Sequence, residues 1–371
     1  MHKKLHIVSF DVPYPPNYGG IIDVFYKIKS LSEIGVEVYL HTFEYGKGKS
    51  LELEKYCSKV YYYERSNSFL KVISTKPFIV NTRKSKELIE NLKSDTSPIL
   101  FEGLHTTFPL VKNIFNNRKV LVRTHNIEHN YYLGLAKSES NLSKKTFYFF
   151  EYLKLKSYQK ILQRADHILT ISRFEYTYFN NLFGPKVSYI PVFHPNTTIK
   201  NISKKGYFAM YHGDLSISDN LKAAQYLIDI FKKIDYPLVI AGNLGNSNLK
   251  SKNKEVKNIT FVSLDSQENL DDLFKRTHIN VLPTFQNTGI KLKLINALFQ
   301  SRFCVVTPKM IQNNSLDSLC SVGVDKKSFQ REIINLIDAE FSEENIVQRE
   351  LILQEFDSTA NAYKILKLLE S

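Results

Sequence analysis

Short apolar runs alternate with amphipathic stretches along the whole chain. Leu5 to Phe10 reads as a buried strand. Asp11 to Gly20 is rich in turn residues. From Ile21 to Ile34, the apolar positions Ile21, Val24, Phe25, Ile28, Leu31 and Ile34 recur at helical spacing. Gly35 ends that helix and Val36–Thr42 reads as the next strand, so the chain opens with a βαβ unit, a parallel sheet and a right-handed crossover. Further strands are expected at Val60–Tyr63, Pro98–Glu102, Val120–Thr124, His167–Ile171 and Val187–Ile190. A long helix is expected over Leu142–Arg164 and another over Arg173–Leu182.

Between residues 191 and 206, prolines, asparagines, threonines and Gly206 replace the periodic pattern, as in a linker. The pattern then restarts with strands Tyr207–Tyr211, Leu238–Ala241, Ile259–Val262, Ile279–Leu282 and Phe303–Thr307. Helices are expected at Leu221–Ile234, Leu270–Lys275 and Ile290–Ser301, then near Phe329–Phe341 and Ser358–Leu369. The prediction is an α/β protein of two doubly wound parallel-sheet domains, residues 1–195 and 205–355, followed by a closing helix. No repeat of intermediate period is visible. Ligands of such sheets bind beyond the carboxyl ends of the strands.

Composition narrows the class. The 371 residues are 43% hydrophobic and 23% charged, which excludes extended disorder. No run reaches the ~18 apolar residues of a membrane span, and the opening apolar stretch is too short and broken for a signal peptide. Cys57, Cys304 and Cys320 are far apart and form neither zinc spacing nor a disulfide framework, which fits a reducing, cytoplasmic compartment. The net charge of +13 is uneven: residues 1–200 hold 29 basic against 17 acidic side chains, and the remainder 21 against 20. A basic first half suits polyphosphate ligands or an anionic membrane surface. Nucleic acid is not expected, because the aromatic residues form no stacking module.

Four segments concentrate candidate chemistry. Asn17-Tyr18-Gly19-Gly20 follows the first strand and opens a helix, so its backbone can approach an anion. Arg123 to Tyr132 packs Arg123, His125, Asn126, Glu128 and His129 beyond a buried strand. Tyr211 to Asn220, with Gly213, Asp214 and Asp219, leads from a strand into a helix. In the fourth, Gly289, Lys293 and Asn296 share one helical face, a glycine one turn before a lysine being suited to phosphate.

Pro13-Pro15-Pro16 with Gly19-Gly20, the run Arg123–His129, Ala165–Ser172, Gly213 with Asn220, and Leu282-Pro283-Thr284 followed by Thr288–Ile295 together resemble the two-domain GT-B glycosyltransferases. The likeness is specifically to the retaining, nucleotide-sugar-dependent glycosyltransferase family 4, and it spans most of the chain. It implies two Rossmann-like domains facing each other across a cleft, the first binding acceptor and the second the nucleotide sugar, with the C-terminal helix, about 356–371, packing back on the first. The implied activity is metal-independent hexosyl transfer, with retention, from a nucleotide-diphosphate sugar to a glycan or polyprenyl-diphosphate-linked acceptor. Capsule, O-antigen or another surface polysaccharide would be the product, and no cofactor is implied. The expected location is cytoplasmic, peripheral at the inner face of the membrane.

Carried over by position, the resemblance puts the catalytic His125 beside the reacting sugar. Gly19, Gly20, Arg123, Asn126 and Glu128 would form the acceptor or phosphate loops. Gly213, Asp214, Asn220, Thr288, Gly289, Ile290, Lys291, Lys293 and Asn296 would surround the donor. Relatives usually carry two glutamates eight residues apart, where this chain has Thr288 and Asn296. Asp214 and Asp219 stand where basic residues are usual. The alternative these departures imply is a weakened relative acting as a binding or scaffold subunit of a glycan-assembly complex.

Overall fold

The computed structural model describes residues 3–66, 68–115, 117–200, 204–244, 249–253, 255–264, 266–286, 291–311 and 316–370. The chain divides into two units: Met1–Pro195 with Phe356–Ser371, and Asn196–Asn287 with Lys291–Glu355.

The first unit is built on a seven-stranded parallel sheet in the order β3-β2-β1-β4-β5-β6-β7. Its strands are β1 (Lys3–Ser9), β2 (Val36–Glu44), β3 (Lys59–Glu64), β4 (Ile99–Glu102), β5 (Val120–Thr124), β6 (His167–Thr170) and β7 (Val187–Tyr189). Helix α1 (Gly19–Glu33) buries Ile21, Val24, Phe25, Ile28 and Leu31. Those side chains join Leu5, Ile7, Val38 and Leu40 in one core layer. On the other face, Val8, Phe101, Val122 and Ile168 pack with Leu155 and Phe179. Two helices in mutual contact, α2 (Glu128–Ser138) and α3 (Leu142–Tyr158), follow β5, and α4 (Arg173–Phe183) joins β6 to β7. The register β1–β4 pairs Val8 with Phe101, and β4–β5 pairs Glu102 with Arg123, so polar residues at these strand ends are brought side by side.

The second unit holds a six-stranded parallel sheet, β10-β9-β8-β11-β12-β13. Its strands are β8 (Phe208–His212), β9 (Leu238–Ala241), β10 (Ile259–Val262), β11 (Thr277–Leu282), β12 (Phe303–Val306) and β13 (Ser321–Val322). Helices α5 (Ser218–Phe231), α6 (Gln267–Arg276), α7 (Leu292–Gln300), α8 (Lys326–Ile337) and α9 (Glu343–Leu353) accompany it. The final helix, α10 (Ser358–Glu370), belongs to the first unit, where Ala362 and Ile365 enter the core beside α1.

Several boundaries differ from the sequence pattern. The expected helix Leu142–Arg164 is α-helical only to Tyr158 and tightens into a 3-10 turn over Gln159–Arg164. The expected loop beyond β5 is short, because residues from Glu128 onward form α2. Helix α5 starts at Ser218 rather than Leu221, which places Asp219 and Asn220 in its first turn. The single helix expected near Phe329–Phe341 is α8, ended at Ile337 and followed by the separately capped α9.

Candidate functional site

In the first unit, α1, β4 and β5 converge on a buried charge network. Asp23 and Lys27 lie one turn apart on α1, Glu102 ends β4, Arg123 lies on β5 and His125 just follows it. The four charged side chains are fully buried and His125 is 5% exposed. Arg123 grips Asp23 bidentately, Nε to Oδ2 at 2.6 Å and Nη2 to Oδ1 at 2.7 Å. Lys27 Nζ donates to Asp23 Oδ2 at 3.0 Å and pairs ionically with Glu102 Oε1 at 2.8 Å. The Phe193 amide also donates to Asp23, at 2.8 Å. Two carboxylates thus balance two cations, and every charge is held by hydrogen bonds or an ion pair, the condition for burying charge at tolerable cost. Burial pushes both carboxyl pKa values up, but Arg123 and Lys27 at Asp23, and Lys27 and His125 at Glu102, hold them below the ordinary range.

This network sets His125. Its Nε2 meets Glu102 Oε2 at 2.9 Å, and an ionised carboxylate only accepts, so Nε2 carries the proton. Nδ1 is buried and has no hydrogen-bond partner among the described residues. A Phe10 ring stands edge-on to the imidazole at 5.4 Å. Gly20, in the first turn of α1, lies over the same place: a Cβ there would be 2.9 Å from Phe10 Cζ and 3.8 Å from His125 Nδ1. Gly19 and Gly20 therefore bring the open amides of a helix start close to an unpaired imidazole nitrogen.

Arg123 does not serve as a phosphate ligand. Four of its five N–H groups are committed, two to Asp23 and one each to the Ile190 and Pro191 carbonyls, and none of it is exposed. It acts on the site through Asp23. Glu128 is likewise withdrawn into the first turn of α2, where burial pushes its carboxyl up to about 8 against the Asn126 hydrogen bond. Its Oε1 lies 4.0 Å from His105 Nδ1. Asp23, Glu102 and His125 offer three ligand atoms within 4.8 Å of one another. The same carboxylates already hold Lys27 and Arg123, so a divalent cation there would face two buried positive charges.

In the second unit, the ends of β8 and β9 meet the starts of α5 and α7. The Gly213 amide donates to the Ala241 carbonyl at 2.9 Å. Gly242, at φ +147°, approaches so closely that a Cβ would lie 2.0 Å from the Gly213 oxygen. On its other side, a Cβ at Gly213 would lie 2.5 Å from Lys293 Nζ and 3.3 Å from Asn220 Cγ. Lys293 Nζ donates to Asn220 Oδ1 at 2.6 Å and to the Tyr211 hydroxyl at 3.3 Å, and stands 4.9 Å above the Tyr211 ring. Among the described residues it has no ion-pair partner. Burial pulls its pKa down to about 8 although Asp219 and Asp214 act the other way. A half-buried ammonium held by neutral acceptors, over a floor of two glycines, is a site for an anion.

The remaining donor candidates are placed as follows. Asp214 shapes its own turn, its carboxylate accepting from the Ser216 amide at 2.9 Å and its carbonyl from Asn220 Nδ2 at 2.8 Å. Lys291 precedes α7 and reaches the Gln286 carbonyl at 3.2 Å. Asn296 accepts from Asn196 Nδ2 at 2.8 Å, and Asn196 in turn accepts from Gln300 at 2.7 Å. The carboxamide oxygen of Asn296 is thus directed at the linker residue Asn196. Thr288, Gly289 and Ile290 lie outside the described residues.

Asp23, Lys27, Glu102 and Gly242 were not singled out from sequence. The available signals were a charged pair spaced i,i+4 within an apolar helical stripe and a glutamate closing an apolar strand. Cys304 and Cys320, distant in sequence, are brought together as hydrogen-bonded free thiols where β12 pairs with β13.

Comparison with known proteins bears on the fold. Residues 208–339 match the family described as Glycosyl transferases group 1. An uncharacterized 44.6 kDa protein in the cps region of Klebsiella pneumoniae is 28% identical over 325 residues, 82% of each chain. A glycosyltransferase from Rickettsia africae superposes with a TM-score of 0.68 at 13% identity, covering 100% of this chain and 98% of that one. HepE of Anabaena, in complex with UDP and glucose, gives a TM-score of 0.67 at 11% identity over 100% of both chains. The two parallel sheets, of seven and six strands, are those of the GT-B fold.

Proposed function

We propose that the chain is a glycosyltransferase of the group 1 type and that it transfers a sugar from a nucleotide-diphosphate donor to a glycan or lipid-linked acceptor. The second unit binds the donor and the first the acceptor. The observation that carries this reading is Lys293: an ammonium with no carboxylate ion-pair partner among the described residues, beside the Gly213–Gly242 floor and the first turn of α5. In the reaction the bond from the anomeric carbon to the phosphate oxygen breaks, the electron pair leaves with the diphosphate, the acceptor hydroxyl oxygen bonds to that carbon, and the hydroxyl proton passes to the leaving diphosphate oxygen. Lys293 and nearby backbone amides stabilise the charge that develops on the diphosphate, a task that requires no metal. His125, with Nδ1 unpartnered and Nε2 fixed by Glu102, accepts a hydrogen bond from a hydroxyl of the sugar or acceptor. HepE, solved with UDP and glucose, supports a uridine nucleotide as the first donor to try. The cps location of the Klebsiella relative supports surface polysaccharide as the product class. Retention of configuration and a cytoplasmic location belong to the same proposal.

The test is a thermal-shift screen against UDP, GDP, dTDP, ADP and CMP, followed by transfer from the matching sugar nucleotides to membrane lipid extract. A ligand of the folded state stabilises it by about 2.7 kcal/mol at a hundred times its dissociation constant. No shift and no transfer across the panel rejects the reading. One observation favours the scaffold alternative: the Asn296 oxygen is occupied by Asn196 rather than left for a ribose. Asn296→Glu separates the two, since a steep rise in activity marks a degraded site and a fall marks an adapted one.

A further inference from the structure

Helix α3 turns an unusual face to solvent. Leu142 is 77% exposed, Phe149 46%, Phe150 56% and Leu153 44%. Their spacing places them on one side of the helix, and Lys145 and Lys156 fall on the same side. The opposite side is fully engaged. There Tyr148 meets Tyr132 at 6.0 Å, Leu155 is buried, and Glu151 accepts from the Phe78 amide at 2.6 Å and from Lys154 at 2.8 Å. Glu151 is the one carboxylate of the helix and it points inward, so the exposed stripe carries apolar and cationic groups and no anionic one. A second element extends the patch: Lys154 Nζ donates to the Val72 carbonyl at 2.7 Å, which sets Ile73, 76% exposed, beside the helix.

We propose that this face of α3, with Ile73, seats the protein on an anionic lipid surface. The charge pattern selects that occupant. A second copy stacked on the stripe would oppose lysine to lysine, whereas anionic headgroups pair with Lys145 and Lys156 while the phenyl and leucyl groups enter the acyl boundary. No helix among the described residues is long and apolar enough to cross a membrane. At 17 residues, α3 lies along the surface. The inference rests on this helix face alone and does not depend on the sugar-transfer reading, so the assay below reads binding and not catalysis.

The experiment is co-sedimentation of the full chain with vesicles of phosphatidylcholine alone and of phosphatidylcholine with phosphatidylglycerol. Binding is expected only to the anionic vesicles and is expected to weaken with salt. The double substitutions F149S/F150S and K145E/K156E should each lower the bound fraction about tenfold or more, because they remove the apolar and the electrostatic contribution respectively. All four positions are exposed, and unchanged thermal melts verify the fold. Hydrogen exchange on the unsubstituted protein supplies a check free of variants: vesicles should protect residues 142–156 selectively. Equal binding to neutral and anionic vesicles, absence of binding, or a dimer in light scattering that F149S/F150S dissolves would each overturn the proposal.

Discussion

His125 and Glu102 meet through one contact, Nε2 to Oε2 at 2.9 Å, across 23 residues of sequence. The contact assigns a ring proton to Nε2, and Nδ1, without a partner among the described residues, faces the start of α1. Glu102→Gln keeps the shape but removes the charge that Lys27 and His125 both use. The expected outcome is a transfer rate lower by about tenfold or more, the scale of one lost hydrogen bond to a charged group. Nucleotide affinity, which the proposal assigns to the second unit, should not change. Steady-state kinetics alongside direct nucleotide titration checks the split, and an unaltered rate would remove Glu102 from the mechanism.

Lys293 makes nucleotide binding pH-dependent. In the proposed reading its ammonium form holds the diphosphate, and burial brings its pKa to about 8. Affinity should therefore be highest below pH 8 and decline as the pH rises through that value. Lys293→Met should weaken binding by about tenfold or more and abolish the decline. Calorimetric titrations from neutral to alkaline pH measure both effects. A flat profile in the unsubstituted protein contradicts the assignment.

Glu128 gives a stability profile of defined sign. Its folded pKa, about 8, lies above the ordinary value of 4.5, so the fold favours the protonated acid. That preference is harmless below about pH 4.5 and costs stability as the pH rises from there through 8. Glu128→Gln imitates the protonated group. It should leave stability at pH 4 nearly unchanged and raise it at pH 8 by on the order of 1–3 kcal/mol. Urea unfolding at the two pH values decides the matter, and an equal effect at both would refute it.

Gly242 is sterically fixed. Its φ of +147° and the 2.0 Å approach of the Gly213 oxygen leave no space for a methyl group. Gly242→Ala should destabilise the second unit by about 1–3 kcal/mol and should disturb nucleotide binding by displacing Gly213 from Lys293. Thermal melts and the nucleotide shift read the two consequences. A variant with a normal melt and normal shift would show that the loop relaxes freely.

How much of this was legible in the sequence depended on whether a residue followed the apolar period. Ile21, Val24, Phe25, Ile28 and Leu31 announced α1 by their spacing, and the alternation of strands with helices announced both sheets. Asp23 and Lys27 were hidden within that same helix, because a charged pair at i,i+4 reads as a solvated face. Only the three-dimensional placement of Glu102 and Arg123 at the ends of neighbouring strands shows that the pair is interior. Helix α2 escaped notice because Asn126, Glu128, His129 and Asn130 carry no apolar stripe, and its start is fixed by tertiary burial of Glu128. Strand β13, two residues long, is too short to leave a periodic trace.

Helix α10 has a consequence for biosynthesis. Ala362 and Ile365 complete the apolar layer of the first unit, yet the ribosome reaches them only after the whole second unit has been synthesised. The earlier-made half must therefore wait, with part of its interior uncovered, until its last piece arrives, and during that interval it is a natural client for chaperones.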